Sequence, residues 1–314
     1  MGMVMEVGKK VEPLGFGYPA QVRRGRTRVG WIGIGVMGGA MATRLLAAGF
    51  TVTAYARTSV KADALVAAGA SVADSPASVA AASDVVFTMV SDPGDVRASG
   101  ALAGLRPGGV LVDCTSSSPS LAREIAAAAR SAGCHAVDAP VSGGDAGARD
   151  GTLAILAGGD EAVVAWLAPL FAHLGTPTHM SPPGSGQSSK IANQIAVAGA
   201  VVGLSDAAGL DARLFLDAVS KGAAGSRVMD IFGTRAVSRD FASGPGSGSA
   251  RYIIKDLGMA LEIGDGQEEE EEATALPGAA LFRQMFSAMV ANGDGDLCVR
   301  GLITVIERLS GVHK

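Results

Sequence analysis

The sequence is short of aromatic residues (4% of its 314 positions), of charge (18%) and of cysteine (three). Cys114, Cys134 and Cys298 stand far apart without a C-x-x-C pairing. That argues against a disulfide framework or a zinc site and fits a reducing compartment. The 26 Lys and Arg do not exceed the 30 Asp and Glu, so the formal net charge is −4 and nucleic acid is not the expected partner. No apolar run approaches the roughly 20 residues that cross a bilayer, so no membrane partner is expected. His135, His173, His179 and His313 are scattered, no His/Asp/Glu set has ligand spacing, and no metal is expected. The first 27 residues include Lys9, Lys10, Arg23, Arg24 and Arg26 but no apolar stretch of secretory type. They hold no serine and two acids, Glu6 and Glu12, which favours a cytoplasmic reading, with a mitochondrion or another organelle as the alternative.

Hydrophobic residues make up 48% of the chain, enough for two domains and a substantial core. Apolar, strand-like runs fall at 29–34, 51–56, 85–90, 110–115, 135–141 and 153–157. Helical patterns lie between them at 37–48, 60–68, 118–132 and 161–174. This alternation predicts an α/β fold, a doubly wound and mostly parallel sheet with helices on both faces. After Pro182-Pro183-Gly184 no strand-like run follows, and helical patterns occupy 187–204, 212–221, 228–238, 253–263, 277–291 and 296–309. The expected organisation is an N-terminal tail (1–27), this α/β domain (28–182) and an all-α domain (183–314). The Ser/Gly/Pro stretch at 243–249 and five glutamates at 268–272 read as solvated loops.

Gly33-Ile34-Gly35-Val36-Met37-Gly38 fits G-x-G-x-x-G. Chance matches are common in a chain with 44 glycines, but this one follows an apolar strand and opens a helix. In that setting the first glycine makes the turn, the second admits a pyrophosphate, and the third lets helix and strand pack. The helix N-terminus then favours phosphate. At the end of the next strand an acidic residue would read the ribose hydroxyls of NAD. This chain has Arg57-Thr58-Ser59 instead, a fork and two hydroxyls suited to a 2′-phosphate. NADP is therefore the preferred cofactor, with NAD possible. The bland alternative for Arg57 is a solvated loop residue.

Three further segments carry chemistry. Ser142-Gly143-Gly144 follows a strand and offers bare backbone and a hydroxyl to a substrate carboxylate. Gly186-Gln187-Ser188-Ser189-Lys190-Ile191-Ala192-Asn193-Gln194 opens a helix in which Asn193 and Gln194 are the i+3 and i+4 neighbours of Lys190. With Ala192, Ile195, Ala196 and Val202 that helix reads as mostly buried, and a lysine there suits general acid/base work. Lys255-Asp256-Leu257 begins another helical stretch. In order and spacing these motifs resemble the β-hydroxyacid dehydrogenases, and most closely the plant 3-hydroxyisobutyrate dehydrogenase-like branch, from about Arg28 onward.

The resemblance implies an NAD(P)-dependent oxidoreductase that moves a hydride to or from a small carboxylate substrate, a 3-hydroxy acid or its oxo or semialdehyde partner, as a homodimer or homotetramer, with Lys190 catalytic, 28–182 a Rossmann domain and 183–314 serving substrate and subunit contacts. It implies that Ser142, Gly143, Gly144, Asn193, Gln194 and Lys255 bind substrate. The glycine loop, Arg57, Thr58, Val90, Ser91, Asp95, Thr115, Ser116 and, again, Lys255 lie along the cofactor. The chain also departs from the family. Relatives carry about six more residues after Gly203-Leu204, nearly two helical turns at 3.6 residues per turn. The region 97–101 is shortened, and Tyr252 is the only aromatic between Phe241 and Lys255. A weakly active or inactive NADP-binding homologue is the second reading.

Overall fold

Short Val- and Ile-rich runs alternating with helical segments build the first part of the chain. The computed structural model describes residues 21–98, 100–205, 213, 216, 226–242, 248–264 and 274–311. The order is β1 (Arg28–Ile32), α1 (Val36–Ala47), β2 (Thr51–Tyr55), α2 (Asp63–Ala67), β3 (Ser71–Val72), α3 (Pro76–Ala81) and β4 (Val85–Thr88). It continues with α4 (Pro93–Ala98), α5 (Ala101–Gly104), β5 (Val110–Asp113), α6 (Pro119–Ser131) and β6 (His135–Asp138). The strands pair in the order β3-β2-β1-β4-β5-β6, all parallel. This is the doubly wound order, whose switch point lies between β1 and β4. Every residue of β4 and β5 is buried, which is why their sequences read as unbroken apolar runs instead of alternating ones. Trp31 stacks on Phe87 at 5.0 Å in the middle of the core, and Phe171 meets Phe87 edge-on at 6.4 Å. Residues ahead of β1 join this unit, since Val22 packs in its core.

The run at 135–141, expected as one strand, is two. The chain leaves the large sheet at Asp138, and β7 (Val141–Ser142) enters a second sheet, β7-β8-β9. There β8 (Leu153–Ala157) runs antiparallel to β7 and parallel to β9 (Gly175–His179). Pro140 lies at the break. It has no N–H to extend a ladder, but its carbonyl accepts from the Leu156 N–H at 3.0 Å. Strand β9, with Thr176, Pro177 and Thr178, lacks an apolar run and was not expected. Helices α7 (Gly144–Asp150) and α8 (Glu161–Phe171) complete the unit. Asp160 caps α8 by accepting from the Ala162 N–H at 2.9 Å. Ser118 caps α6, with Pro119 in its first turn. The helix expected at 60–68 begins as a 3₁₀ turn, Ser59–Ala62, before α2.

The chain divides into two compact units, Met1–Lys190 and Ile191–Lys314, and the division falls inside α9 (Ser185–Ser205). Described residues of the second unit form helices, with one isolated bridge between Ser249 and Cys298. They are α10 (Thr234–Val237), preceded by a π turn at Met229–Gly233, α11 (Ala250–Gly264), α12 (Pro277–Ala291) and α13 (Leu302–Leu309). Leu257, Phe286, Met289 and Leu302 are in its core. Arg300 is buried there, donating through Nε to the Asp240 carbonyl (3.1 Å) and through Nη2 to that of Ala242 (3.2 Å). The helix expected at 212–221, the glutamate run and all but the end of the 243–249 stretch lie outside the described residues. No helix among the described residues is long and apolar enough to cross a membrane.

Candidate active site

The glycine loop joins β1 to α1 at the switch point. Gly33 has φ +97°, and a Cβ there would lie 2.2 Å from the Met89 carbonyl oxygen. A Cβ on Gly38 would lie 2.1 Å from the Gly33 carbonyl oxygen. These two glycines are required by the protein's own packing. Gly35 differs, because a Cβ there would meet nothing within 4 Å. It also precedes α1 without a side-chain cap, and the first turn of α1 holds no acidic residue. A positively polarised helix end therefore faces room that the protein leaves unfilled. Ile34 is buried in the core, Val36 is exposed and Met37 is half-buried.

Arg57 follows β2 and is exposed. Its guanidinium faces the Asp95 carboxylate of α4 in a double contact, Nη1–Oδ1 and Nη2–Oδ2, both 3.4 Å. Thr58 and Ser91 are exposed beside the ends of β2 and β4. Val90 donates its N–H to Thr115 Oγ1 at 3.1 Å, and Thr115 N–H donates to Asp113 Oδ1 at 3.0 Å. Ser116 is half-buried. Apart from Lys255, which lies in α11 of the second unit, the residues expected along a cofactor follow the carboxyl ends of β1, β2, β4 and β5, on one edge of one sheet.

Ser142 ends β7. Gly143 has φ +138° and Gly144 φ +65°; a Cβ on the first would crowd Leu153 Cδ2 at 3.2 Å, whereas on the second it would meet nothing within 4 Å. Lys190, the sixth residue of α9, is half-buried, and its Nζ donates to the Val141 carbonyl at 3.0 Å. That brings the ammonium to the residue just before Ser142. Asn193, Gln194 and Lys255 form a cluster in the second unit. Asn193 Nδ2 donates to Gln194 Oε1 (3.0 Å), and Gln194 Nε2 donates to Asp256 Oδ2 (2.7 Å). Lys255 Nζ lies 3.1 Å from Asp256 Oδ1. Lys255 and Asp256 sit inside α11, not at its start, because the helix already begins at Ala250. Ala192, expected on a buried face of α9, is exposed; Ile191 and Ala198 are buried instead.

Buried polar residues without a role in the sequence analysis link the first-unit positions. Asp113 accepts from Thr88 Oγ1 at 2.8 Å, and burial pushes its carboxyl above the ordinary range. Asp138, at the end of β6, accepts from the Gly184 and Gln187 N–H groups at 2.8 and 2.9 Å. Desolvation outweighs those donors and raises Asp138 to about 6. Gln187 is fully buried. Gln187 falls inside the motif that opens α9 and Asp138 four residues before Ser142, but their importance depends on partners 49 and 72 residues away in sequence.

Residues 28–184 match the family described as the NAD binding domain of 6-phosphogluconate dehydrogenase. Residues 184–306 match that described as NAD-binding of NADP-dependent 3-hydroxyisobutyrate dehydrogenase. The chain is 52% identical over 306 residues to the probable 3-hydroxyisobutyrate dehydrogenase-like 3, mitochondrial, of Arabidopsis thaliana, covering 94% of this chain and 92% of that one. It belongs to the 3-hydroxyisobutyrate dehydrogenase-like family. It is 36% identical to the 2-hydroxy-3-oxopropionate reductase of Escherichia coli, over 91% and 99% of the two chains. Among solved structures it is similar to the 3-hydroxyisobutyrate dehydrogenase of Mycobacterium tuberculosis with L-serine (TM-score 0.80, 27% identity, 89% and 99% covered). The expected family and fold are thereby borne out. As a member the chain is an NAD(P)-dependent oxidoreductase acting on CH–OH groups of hydroxy acids. Nothing in these likenesses favours the weakly active or inactive reading. The open space at Gly35, next to a helix N-terminus without a carboxylate, fits the diphosphate of a nicotinamide dinucleotide.

Proposed function

We propose that the chain exchanges a hydride between NADP(H) and a small 3-hydroxy acid or its oxo or semialdehyde partner, with Lys190 as the proton-transfer residue. The bound nicotinamide supplies or accepts the hydride. Lys190 gives a proton to the substrate carbonyl oxygen in reduction and takes it back in oxidation. The observation that carries this reading is the Lys190 Nζ contact with the Val141 carbonyl, 3.0 Å. It holds the amine beside Ser142, Gly143 and Gly144, where a hydroxyl and left-handed glycine backbone receive the substrate carboxylate. Asn193, Gln194 and Lys255 complete substrate recognition, with Lys255 also serving the nicotinamide end. The test is Lys190→Ala. Turnover should disappear while NADPH affinity stays within about threefold. Retained turnover overturns the assignment.

NADP is preferred over NAD because Arg57 and Thr58 stand where an acidic residue would read an unphosphorylated ribose. The domain boundaries at 27/28 and 182/183, and a substrate and dimerisation role for the helical part, belong to the same reading. Initial rates with NADPH and NADH on glyoxylate, succinic semialdehyde and methylmalonate semialdehyde test the cofactor and substrate together. A tenfold advantage for NADH, roughly 1.4 kcal/mol, overturns the role given to Arg57. A homodimer or homotetramer is expected, to be read by light scattering. The cytoplasmic assignment rests on Glu6, Glu12 and the lack of serine before Arg28. Microscopy of the tagged full-length chain decides it against a mitochondrial address.

A further inference from the structure

Gln187 joins the two halves of the chemistry within the first unit. Both polar atoms of its side-chain amide bond to one loop, the one that follows β5. Nε2 donates to the Thr115 carbonyl at 2.7 Å, and Oε1 accepts from the Ser117 N–H at 2.9 Å. Its own N–H donates to Asp138 Oδ2 at 2.9 Å, and Gly184 N–H donates to Oδ1 of the same carboxylate at 2.8 Å. Asp138 thereby ties the start of α9 to the end of β6. On the other side Asp113 accepts from Thr88, from the Thr115 N–H and, at 3.5 Å, from Ser117 Oγ. Every one of these side chains is buried. Close packing leaves the arrangement no slack, because a Cβ on Gly186 would lie 2.3 Å from the Leu156 carbonyl oxygen.

We propose that Gln187 is a positioning residue that fixes the height of Lys190 relative to the loop carrying Thr115 and Ser116. It rests on the reading of Lys190 as proton donor and of that loop as a cofactor edge. The geometric reason is the helix period. Gln187 lies three residues before Lys190, so an anchor at one fixes the rise and rotation of the other along α9. A hydride transfer needs donor and acceptor aligned to within a fraction of an ångström, and the chain meets that need with two hydrogen bonds from one rigid amide. The same two bonds leave the open space at Gly35 and the carboxylate loop untouched. Loss of the clamp should therefore appear in kcat and spare ground-state binding.

The experiment compares Gln187→Leu, Gln187→Glu and Lys190→Ala with the wild-type full chain. Gln187→Leu, verified as folded by near-ultraviolet circular dichroism, should lose roughly ten- to a hundredfold in kcat. NADPH affinity by calorimetry and KM for the carboxylate substrate should stay within about threefold. Gln187→Glu provides a second readout. Its carboxyl would be flanked by the acidic groups Asp113 and Asp138, with Lys190 one turn away along α9. When protonated it can donate to the Thr115 carbonyl and accept from the Ser117 N–H; when ionised it has no donor. Its kcat should therefore approach the wild-type value at low pH and fall as pH rises, on top of the wild-type profile. A folded Gln187→Leu with kcat within twofold of wild type overturns the clamp. So does loss of NADPH binding in parallel with kcat, or a Gln187→Glu profile identical in shape to wild type. If Lys190→Ala keeps turnover, the proton-donor reading falls and the clamp with it. If Lys190→Ala is dead and Gln187→Leu is unaffected, only the clamp falls.

Discussion

The Arg57 guanidinium and the Asp95 carboxylate meet in parallel, both N–O distances 3.4 Å, with Arg57 largely in solvent. The group assigned to a 2′-phosphate is thus already facing an anion. A bound phosphate must share or displace that partner, and the Asp95 charge repels it. Asp95→Asn should tighten NADPH by about two- to fivefold, consistent with the modest worth of exposed pairs, and leave NADH nearly unchanged. Added salt should shrink the difference. Calorimetric titration with both cofactors measures it. Equal effects on both would mean that Asp95 acts on something other than the phosphate.

The glycine loop separates into positions that the fold needs and one that it does not. Gly33→Ala should cost several kcal/mol, on the order of a strained left-handed residue plus a clash, because φ is +97° and the Met89 carbonyl is 2.2 Å from the new Cβ. Gly35→Val should fold normally, since Gly35 has an ordinary φ of −77° and open space around it. It should still weaken NADPH binding by roughly tenfold or more. Melting temperature and NADPH affinity, measured on both variants, should move in opposite patterns.

Asp138 gives a pH dependence with a definite sign. Its folded-state value of about 6 lies above the ordinary 3.8, so the native chain holds a proton that the unfolded chain releases. The resulting stability is fully present below about 4 and is lost as pH rises through 6. Subtracting Asp138→Asn from wild type isolates this group. The difference in unfolding free energy should move against wild type by about 2–3 kcal/mol between roughly pH 4 and pH 7.5. A flat difference in denaturation curves would show that the carboxyl titrates near its ordinary value.

In the second unit Asp256 is buried while accepting from Gln194 at 2.7 Å and pairing with Lys255 at 3.1 Å. Asp256→Ala removes the acceptor of the Gln194 amide and the carboxylate paired with Lys255. The expected cost is on the order of 2–4 kcal/mol in a urea titration. Asp256→Asn keeps an acceptor for Gln194 and should lose less. If both variants match wild type, the contact with Gln194 carries no net energy.

Periodicity made most of the fold legible. β4 and β5 are buried on both faces and have the unbroken Val-rich runs that such strands require, and α12 was expected with its exact bounds, 277–291. The failures are equally physical. β9 is a Thr/Pro edge with alternating exposure and no apolar run to announce it. The break between β6 and β7 rests on one proline inside an otherwise continuous strand pattern. Lys190 and the glycine loop were legible because their chemistry is local in sequence. Gln187 and Asp138 were not, because a buried amide or carboxylate gains its meaning from distant backbone groups that only folding brings near. The Asp95 partner of Arg57 was equally hidden, 38 residues away.

The change of sheet at Pro140 has a mechanical consequence. Val141 rides on the small sheet, while Asp138 pairs with Asp113 in the large one and is bridged to Gly158, just beyond β8. The lysine is tethered to the first through a carbonyl, and its helix to the second through a carboxylate. Any sliding of one sheet against the other would stretch a tether at each end of the same two helical turns. If Lys190 is the proton donor as proposed, mutations that loosen this seam, even far from any ligand, should therefore register as slower turnover before they register as unfolding.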